Sequence, residues 1–264
     1  MKRVSKSAVA VAAFACSAIF SFGWSQQGGV SLAPRSVRLE SSAVSSLAGF
    51  SEGRWWVQDL AASLPARLVR ASAKTVLDLC AAPGGKTMQL ASSDHDVTAL
   101  DWSKSRLGRL KENLGRTGLC ARLVEADALK FAPDQSFDAI LLDAPCSATG
   151  TFRRHPEVLY RARPPIIAEN SRVQAELLRR ASHLLPVGGT IVYSVCSLEA
   201  EEGEQVITGF LEQNSSFKVD PPGRDEMPAF VPVSPPGWIR ILPGLLEAEG
   251  GLDGFFMVRL VRTA

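Results

Sequence analysis

Two cysteines carry the strongest chemical signal in this chain. Cys146 lies in Leu-Leu-Asp-Ala-Pro-Cys-Ser-Ala-Thr-Gly (141–150), and Cys196 in Ile-Val-Tyr-Ser-Val-Cys-Ser-Leu-Glu (191–199). Each thiol follows an apolar run of the kind that forms a buried strand. Upstream, Val-Leu-Asp-Leu-Cys-Ala-Ala-Pro-Gly-Gly-Lys-Thr (76–87) reads as a strand, a glycine turn and the start of a helix. A nucleotide-type cofactor loop followed by two strand-end thiols suggests covalent attack on a pyrimidine ring, with methyl transfer from S-adenosylmethionine. A thiolate divides one hard step into two easier ones. A free thiol titrates near ~8.5, so such a site must lower that value or supply a base.

The glycine turn sets the cofactor class. Gly84 and Gly85 let the backbone approach a ligand closely, and Lys86 opens the helix. Gly-Lys-Thr appears at 85–87, but the phosphate-loop spacing is absent, and so is Gly-x-Gly-x-x-Gly. Acids stand at or just after three later strands: Asp101, Asp127 and Asp143. A strand-end acid can grip ribose hydroxyls, and the next can meet an adenine amino group. Three carboxylates repel a pyrophosphate but tolerate a sulfonium cation. Any one of them is as well explained as a helix N-cap; three in order favour S-adenosylmethionine.

The elements that must position these residues alternate. Strands are predicted over 75–80, 97–101, 121–125, 137–143, 190–195 and 255–261. Helices are predicted to open at 86–91 and to span 104–116, 166–185 and 199–213. Residues 50–70 read as an extended piece followed by an amphipathic helix. Such alternation predicts an α/β fold with a mostly parallel sheet covered by helices on both faces. Residues 220–251 are rich in Pro and Gly and are expected to form a surface excursion before the last strand.

Composition excludes several function classes. The chain has 264 residues, 46% of them apolar, enough for one α/β domain with a proper core. The formal net charge is +2, but five basic residues (Lys2, Arg3, Lys6, Arg35, Arg38) lie within 1–39 without an acid, so the rest is slightly acidic. The folded part is not a generally basic nucleic-acid binder, and any such contact must come from a local patch. That patch is the stretch 152–180, with seven arginines against three glutamates. The five cysteines (Cys16, Cys80, Cys120, Cys146, Cys196) form no Cys-x-x-Cys pair and have no histidine at ligand spacing, so no metal is expected. Free thiols are expected, with Cys80 and Cys120 read as structural. Residues 8–22 are mostly apolar after a basic start, but too short to span a membrane, which needs about 20. Residues 1–46 are read as a targeting presequence or a disordered tail. An organelle is favoured as destination, plastid ahead of mitochondrion.

With these motifs in order, the chain resembles the Sun-type RNA cytosine-5 methyltransferases over roughly residues 48–262. The matching segments are Asp78–Thr87, Asp101, Asp127, Asp143–Gly150, Ser194–Glu199 and Asp253–Leu260. The resemblance implies a class I S-adenosylmethionine-dependent fold with a seven-stranded sheet. It implies a cofactor site from Cys80, Ala81, Ala82, Pro83, Gly84, Gly85 and Lys86 with Asp101, Asp127 and Asp143. It implies Cys196 as nucleophile and Cys146 as the thiol that helps release product. Val195 stands where threonine is common in the family. Bacterial members carry a substantial N-terminal RNA-binding region; here 47–72 reads as its remnant and 73–264 as the catalytic domain. In this reading Asp143 polarises the base at nitrogen 3, Lys86 orients it, and Arg153, Arg154, Arg161 and Arg163 hold phosphates. The expected partner is RNA, ribosomal RNA ahead of transfer RNA, with room for an RNA-binding protein partner. Two rivals stay open. In a DNA cytosine methyltransferase Cys146 would be the nucleophile, and a ribosome-assembly factor would bind the cofactor without catalysis.

Overall fold

The computed structural model describes residues 9–12, 29–39 and 44–264. In chain order the strands are β1 (Val9–Ala12), β2 (Val30–Ala33), β3 (Ser36–Leu39), β4 (Trp56–Val57), β5 (Thr75–Leu79), β6 (Asp96–Asp101), β7 (Arg122–Glu125), β8 (Ala139–Asp143), β9 (Thr190–Val195), β10 (Phe217–Val219), β11 (Ile239–Ile241) and β12 (Phe255–Arg262). The helices are α1 (Leu60–Arg67), α2 (Gly85–Ala91), α3 (Lys104–Thr117), α4 (Val158–Arg161), α5 (Pro164–Ser182) and α6 (Glu204–Gln213).

The main sheet runs β10-β12-β9-β8-β5-β6-β7, with β11 paired to β12 as an eighth strand. Strands β9, β8, β5, β6 and β7 are parallel neighbours, and β12 enters antiparallel beside β9. The chain leaves β5 toward β6 and β7, then returns to the other side of β5 as β8. The order therefore reverses between β5 and β8, and a crevice opens there at the carboxyl ends of the strands. The motif loops after β5, β6, β8 and β9 all emerge along that edge.

Period-two alternation splits each central strand between two cores. Leu77, Leu79, Ile140, Leu142, Ile191 and Tyr193 face α5 and α6, where Leu178, Ala181, Ile207 and Phe210 meet them. Val76, Ala139, Leu141 and Val192 face the other way, onto Leu60, Ala61 and Leu64 of α1. Both faces are covered, so these strands read as continuous apolar runs. α3 lies at the flank with Leu107, Leu110 and Leu114 buried on one face, Ser103 as its N-cap and Gly118 ending it.

Several expectations need correction. Within 50–70 the extended piece is β4, but the helix after it is only the eight residues of α1, buried on most sides rather than on one face, with Pro65 inside it. α4, β10 and β11 were not anticipated. The 220–251 excursion is anchored: Met227, Val231, Ile239 and Ile241 are buried. Arg259 of β12, itself buried, holds Asp220 and Glu226 of the excursion in ion pairs.

Most of the presumed presequence or tail lies outside the described residues. Its residues 30–39 do not behave as a tail. β2 and β3 form a hairpin that joins β1 and β4 in a small antiparallel sheet. Leu39 packs against Trp55, and buried Arg38 donates from Nη2 to the Gly251 carbonyl at 2.6 Å. The folded unit thus begins before Ser46. No helix among the described residues is long and apolar enough to cross a membrane.

Candidate active site

The loop after β5 is shaped by its backbone. Cys80 has φ 61° and Gly84 φ 105°, both in the left-handed region. The positive φ favours glycine at 84, and a Cβ there would also meet Leu110 Cδ1 at 2.0 Å, so that side chain would have to shift. Gly84→Ala is expected to destabilise the protein by roughly 1–3 kcal/mol, read as a lowered urea midpoint; an unchanged midpoint would contradict this account.

Each strand-end acid has its own task. Asp101, fully buried, accepts from the Ala82 amide at 3.2 Å, the Ser103 amide at 2.9 Å and Arg106 Nη2 at 2.8 Å. It ties the β5 loop to the start of α3. Asp127 is half exposed, accepts from the Leu129 amide at 3.0 Å and lies 3.6 Å from Lys130 Nζ. Asp143 accepts from Lys86 Nζ at 2.7 Å through one oxygen and from Ser194 Oγ at 2.8 Å through the other. Lys86, the second residue of α2, is itself nearly buried and also faces the Phe255 ring at 5.3 Å.

Burial pushes the Cys80 thiol up to about 12, and the neighbouring charges of Asp101, Asp143 and Asp78 add to this. Cys80 therefore stays protonated, as its structural reading requires. Cys120, also read as structural, is exposed.

Asp78 sits beneath the loop and accepts from Thr87 Oγ1 at 2.6 Å. Burial raises its carboxyl to about 7, against the opposing pull of the Thr87 bond and the Lys86 charge. An unfolded aspartate titrates near ~3.9. Between roughly pH 4 and 7 the native state therefore holds the extra proton, so this group makes stability fall as pH rises through that window. Asp78→Asn is expected to remove that part of the slope, measured as urea midpoints across the window for both proteins. Parallel curves would show that Asp78 does not titrate as described.

The two thiols meet. The loops after β8 and β9 bring the Cys146 and Cys196 sulfurs to 3.5 Å. The hydrogen bond with Cys196, then burial, push the Cys146 thiol well up.

Two cavities share this edge. One, of about 520 Å³, lies over β5, β6 and β8 and is lined by Cys80, Asp101, Trp102, Asp127, Leu129, Asp143 and Cys146, among others. The other, of about 500 Å³, lies toward α1 and α2 and is lined by Ala81 to Lys86, Trp56, Arg154, Asp253 and Phe255. Cys80, Ala82, Asp143 and Cys196 line both. Both are of small-molecule size, and Cys196 stands at their junction. Among the described residues no group of three or more His, Cys, Asp or Glu side chains is placed to hold a metal.

The phosphate-holding role expected of Arg153 and Arg154 needs correction. Arg153 bridges Asp59 and Asp253 at 3.1 and 3.3 Å, and Arg154 forks onto Asp253. Both carboxylates are buried, so these guanidinium groups serve the fold first. Arg154 still lines the smaller cavity beside Cys196. Arg161 and Arg163 remain outward, Arg161 with 72% of its side chain exposed. Exposed Tyr160 lies beside them.

Residues 66–261 match the family model described as 16S rRNA methyltransferase RsmB/F. The chain belongs to the RsmB/F family. A ribosomal RNA small subunit methyltransferase B from Salmonella arizonae is 40% identical over 236 residues, covering 87% of this chain and 52% of its own length. The chain thus spans about half the length of the curated relatives it matches. The methyltransferase homolog protein from Pyrococcus horikoshii superimposes with a TM-score of 0.70 at 30% identity, over 88% of this chain and 76% of that one. NSun6 from the same organism, solved with SFG, gives 0.71 at 29% identity, over 86% of this chain and 57% of that one. The RsmB/F fold is that of the class I methyltransferases, as the resemblance implied, and its mostly parallel sheet is the one the alternation predicted.

Inspection of the chain missed one part of this RsmB/F site. Glu202, fully buried, joins the two cysteine loops. The available signal was the Cys-Ser pair repeated after both strands, followed by acids after the second.

Proposed function

We propose that this protein is an S-adenosylmethionine-dependent RNA cytosine-5 methyltransferase acting on ribosomal RNA. The observation that carries the reading is the pair of sulfurs 3.5 Å apart where two cavities meet. The larger cavity suits the cofactor. Its rim offers the carboxylates of Asp101, Asp127 and Asp143 and apolar walls from Leu100, Ala128 and Leu129, with no cluster of lysines for a pyrophosphate. Cys80 and Ala82 of the β5 loop line it, while Ala81 and Pro83 to Lys86 line the neighbouring cavity. When bound there, S-adenosylmethionine supplies an electrophilic methyl group.

The smaller cavity then takes the target base, which must leave its stack to enter. The Cys196 thiolate adds to carbon 6 of cytosine, forming the S–C6 bond and making carbon 5 nucleophilic. Asp143 polarises the ring at nitrogen 3, and Lys86, held by Asp143, orients it. Carbon 5 takes the methyl group and loses its proton to a base. The electrons of the broken C5–H bond restore the C5–C6 double bond, and the S–C6 pair departs on Cys196 as thiolate, with Cys146 promoting that elimination. Arg161 and Arg163, both exposed, supply phosphate contacts, and Arg154 contributes positive charge inside the smaller cavity.

The test is transfer of labelled methyl groups to small-subunit ribosomal RNA and to transfer RNA, with bisulfite sequencing of the product. New 5-methylcytosine in ribosomal RNA is the expected result. Cofactor binding with no methylation of any RNA would favour the assembly-factor alternative or a required protein partner. An organelle, plastid ahead of mitochondrion, is the proposed destination on the strength of the basic start and apolar run of residues 1–22. Import of a fluorescent fusion carrying residues 1–46 tests it, and a diffuse signal would refute it.

A further inference from the structure

We propose that Glu202 is the positioning residue that sets the separation of the two thiols, by pinning the serine after each cysteine to one buried carboxylate. Ser147 Oγ and Ser197 Oγ both donate to Glu202 Oε2 at 2.5 Å. The Ser147 amide donates to Oε1 at 2.8 Å, and Gln174 Nε2 reaches the same oxygen at 3.3 Å. Gln174 also donates to the Pro145 carbonyl, one residue before Cys146, at 2.9 Å. Four donors thus converge on two oxygens, which is what an ionised carboxylate can accept and an amide cannot.

The surrounding bonds make the two loops one unit. The Gly150 amide donates to the Cys196 carbonyl at 3.0 Å, and the Leu198 amide to Thr149 Oγ1 at 3.0 Å. The Tyr193 hydroxyl donates to the Glu202 carbonyl at 2.6 Å, fixing the acid's own backbone beneath β9. Glu202 lines neither cavity, so it acts through the cysteines and not on a substrate. Its hydrogen-bond donors are all neutral. Burying a carboxylate without a cation is costly, and a role confined to filling space would not call for that charge. The charge lies beside Cys146 and contributes, after the Cys196 bond and burial, to keeping that thiol protonated.

One test does not depend on activity. Diamide takes two electrons and two protons from an adjacent thiol pair, joining the sulfurs as it is reduced to the hydrazine. The full-length protein is treated with diamide, and the Cys146–Cys196 peptide is timed by mass spectrometry. The wild type is expected to link rapidly, and Glu202→Gln roughly tenfold more slowly. Glu202→Asp keeps the charge but shortens the reach, and is the second variant should the first not fold; it is expected to slow linking as well. Equal rates in wild type and a folded variant would overturn the proposal, as would failure of the wild type to link.

A second readout rests on the proposed function. A misplaced thiol pair is expected to lower kcat on the order of 10- to 100-fold with the KM for RNA and the cofactor Kd unchanged. Covalent RNA adduct should accumulate because Cys146 no longer promotes release. Losses of cofactor binding in proportion to kcat would indicate a merely structural role. Linking that depends on Glu202 in a protein that methylates nothing would sink the proposed function and leave the positioning role standing.

Discussion

Replacing Cys196 with alanine is expected to reduce methyl transfer by on the order of 10³-fold or more, as loss of a covalent nucleophile does. Cofactor binding should be unchanged, because the larger cavity keeps its strand-end carboxylates and Cys80 and Ala82 of the β5 loop. Replacing Cys146 with alanine is expected to do something different. The S–C6 bond still forms, but elimination stalls, and an RNase-sensitive, slow-migrating adduct should appear on a denaturing gel. The asymmetry follows from the geometry. Cys196 lines both cavities, so a base bonded to it in one would present carbon 5 at the boundary with the methyl donor in the other. Cys146 lines only the cofactor side and keeps its proton through the Cys196 bond and burial. An adduct that forms in Cys196→Ala but not in Cys146→Ala would exchange the two roles and favour DNA-type chemistry. Absence of adduct in both, with cofactor bound, would remove covalent catalysis altogether.

The parts of this site legible in the sequence are the local ones. Val-Leu-Asp-Leu and Ala-Ile-Leu-Leu-Asp announce buried parallel strands because both of their faces are covered. A motif placed directly after such a strand must emerge at the sheet's carboxyl edge. The cysteines, the glycine turn and the strand-end acids were therefore found from short windows. What remained hidden depends on long-range partners. Arg153 and Arg154 look like a free basic patch until Asp59 and Asp253 arrive, about 100 residues away in either direction. Glu202 looks like one more acid before a helix, and only the pairing of β8 with β9 reveals that it joins two loops. The hairpin at 30–39 reads as polar tail because its buried face is short. Its docking depends on Trp55 and on the Gly251 carbonyl, which no local pattern announces.

The Asp253 cluster shows how far such a hidden contact reaches. Asp253 is 1% exposed and carries both Arg153 and Arg154, while its amide donates to Asp59 at 3.3 Å. Asp253→Asn removes the charge and leaves Arg154 one amide oxygen in place of a carboxylate, while Arg153 keeps its bond to Asp59. Breaking a buried pair in this way costs about 3–5 kcal/mol, and the partial exposure of Arg154 places the expectation at the lower end. A loss of about 3 kcal/mol lowers Tm by roughly 6–12 °C in a chain of this size. Part of the loss is offset, because burial and then the charge of Asp253 hold the Asp59 carboxyl above its ordinary range, and the second cause disappears. The measurement is a double-mutant cycle with Arg154→Gln. If Arg154 is held chiefly by Asp253, the arginine substitution should cost much less once Asp253 is gone. Because Arg154 lines the cavity that holds Cys196, the same variant should raise the KM for RNA while leaving the cofactor Kd in place. Additive stabilities together with an unchanged KM would mean that Arg154 neither depends on Asp253 nor shapes the substrate cavity.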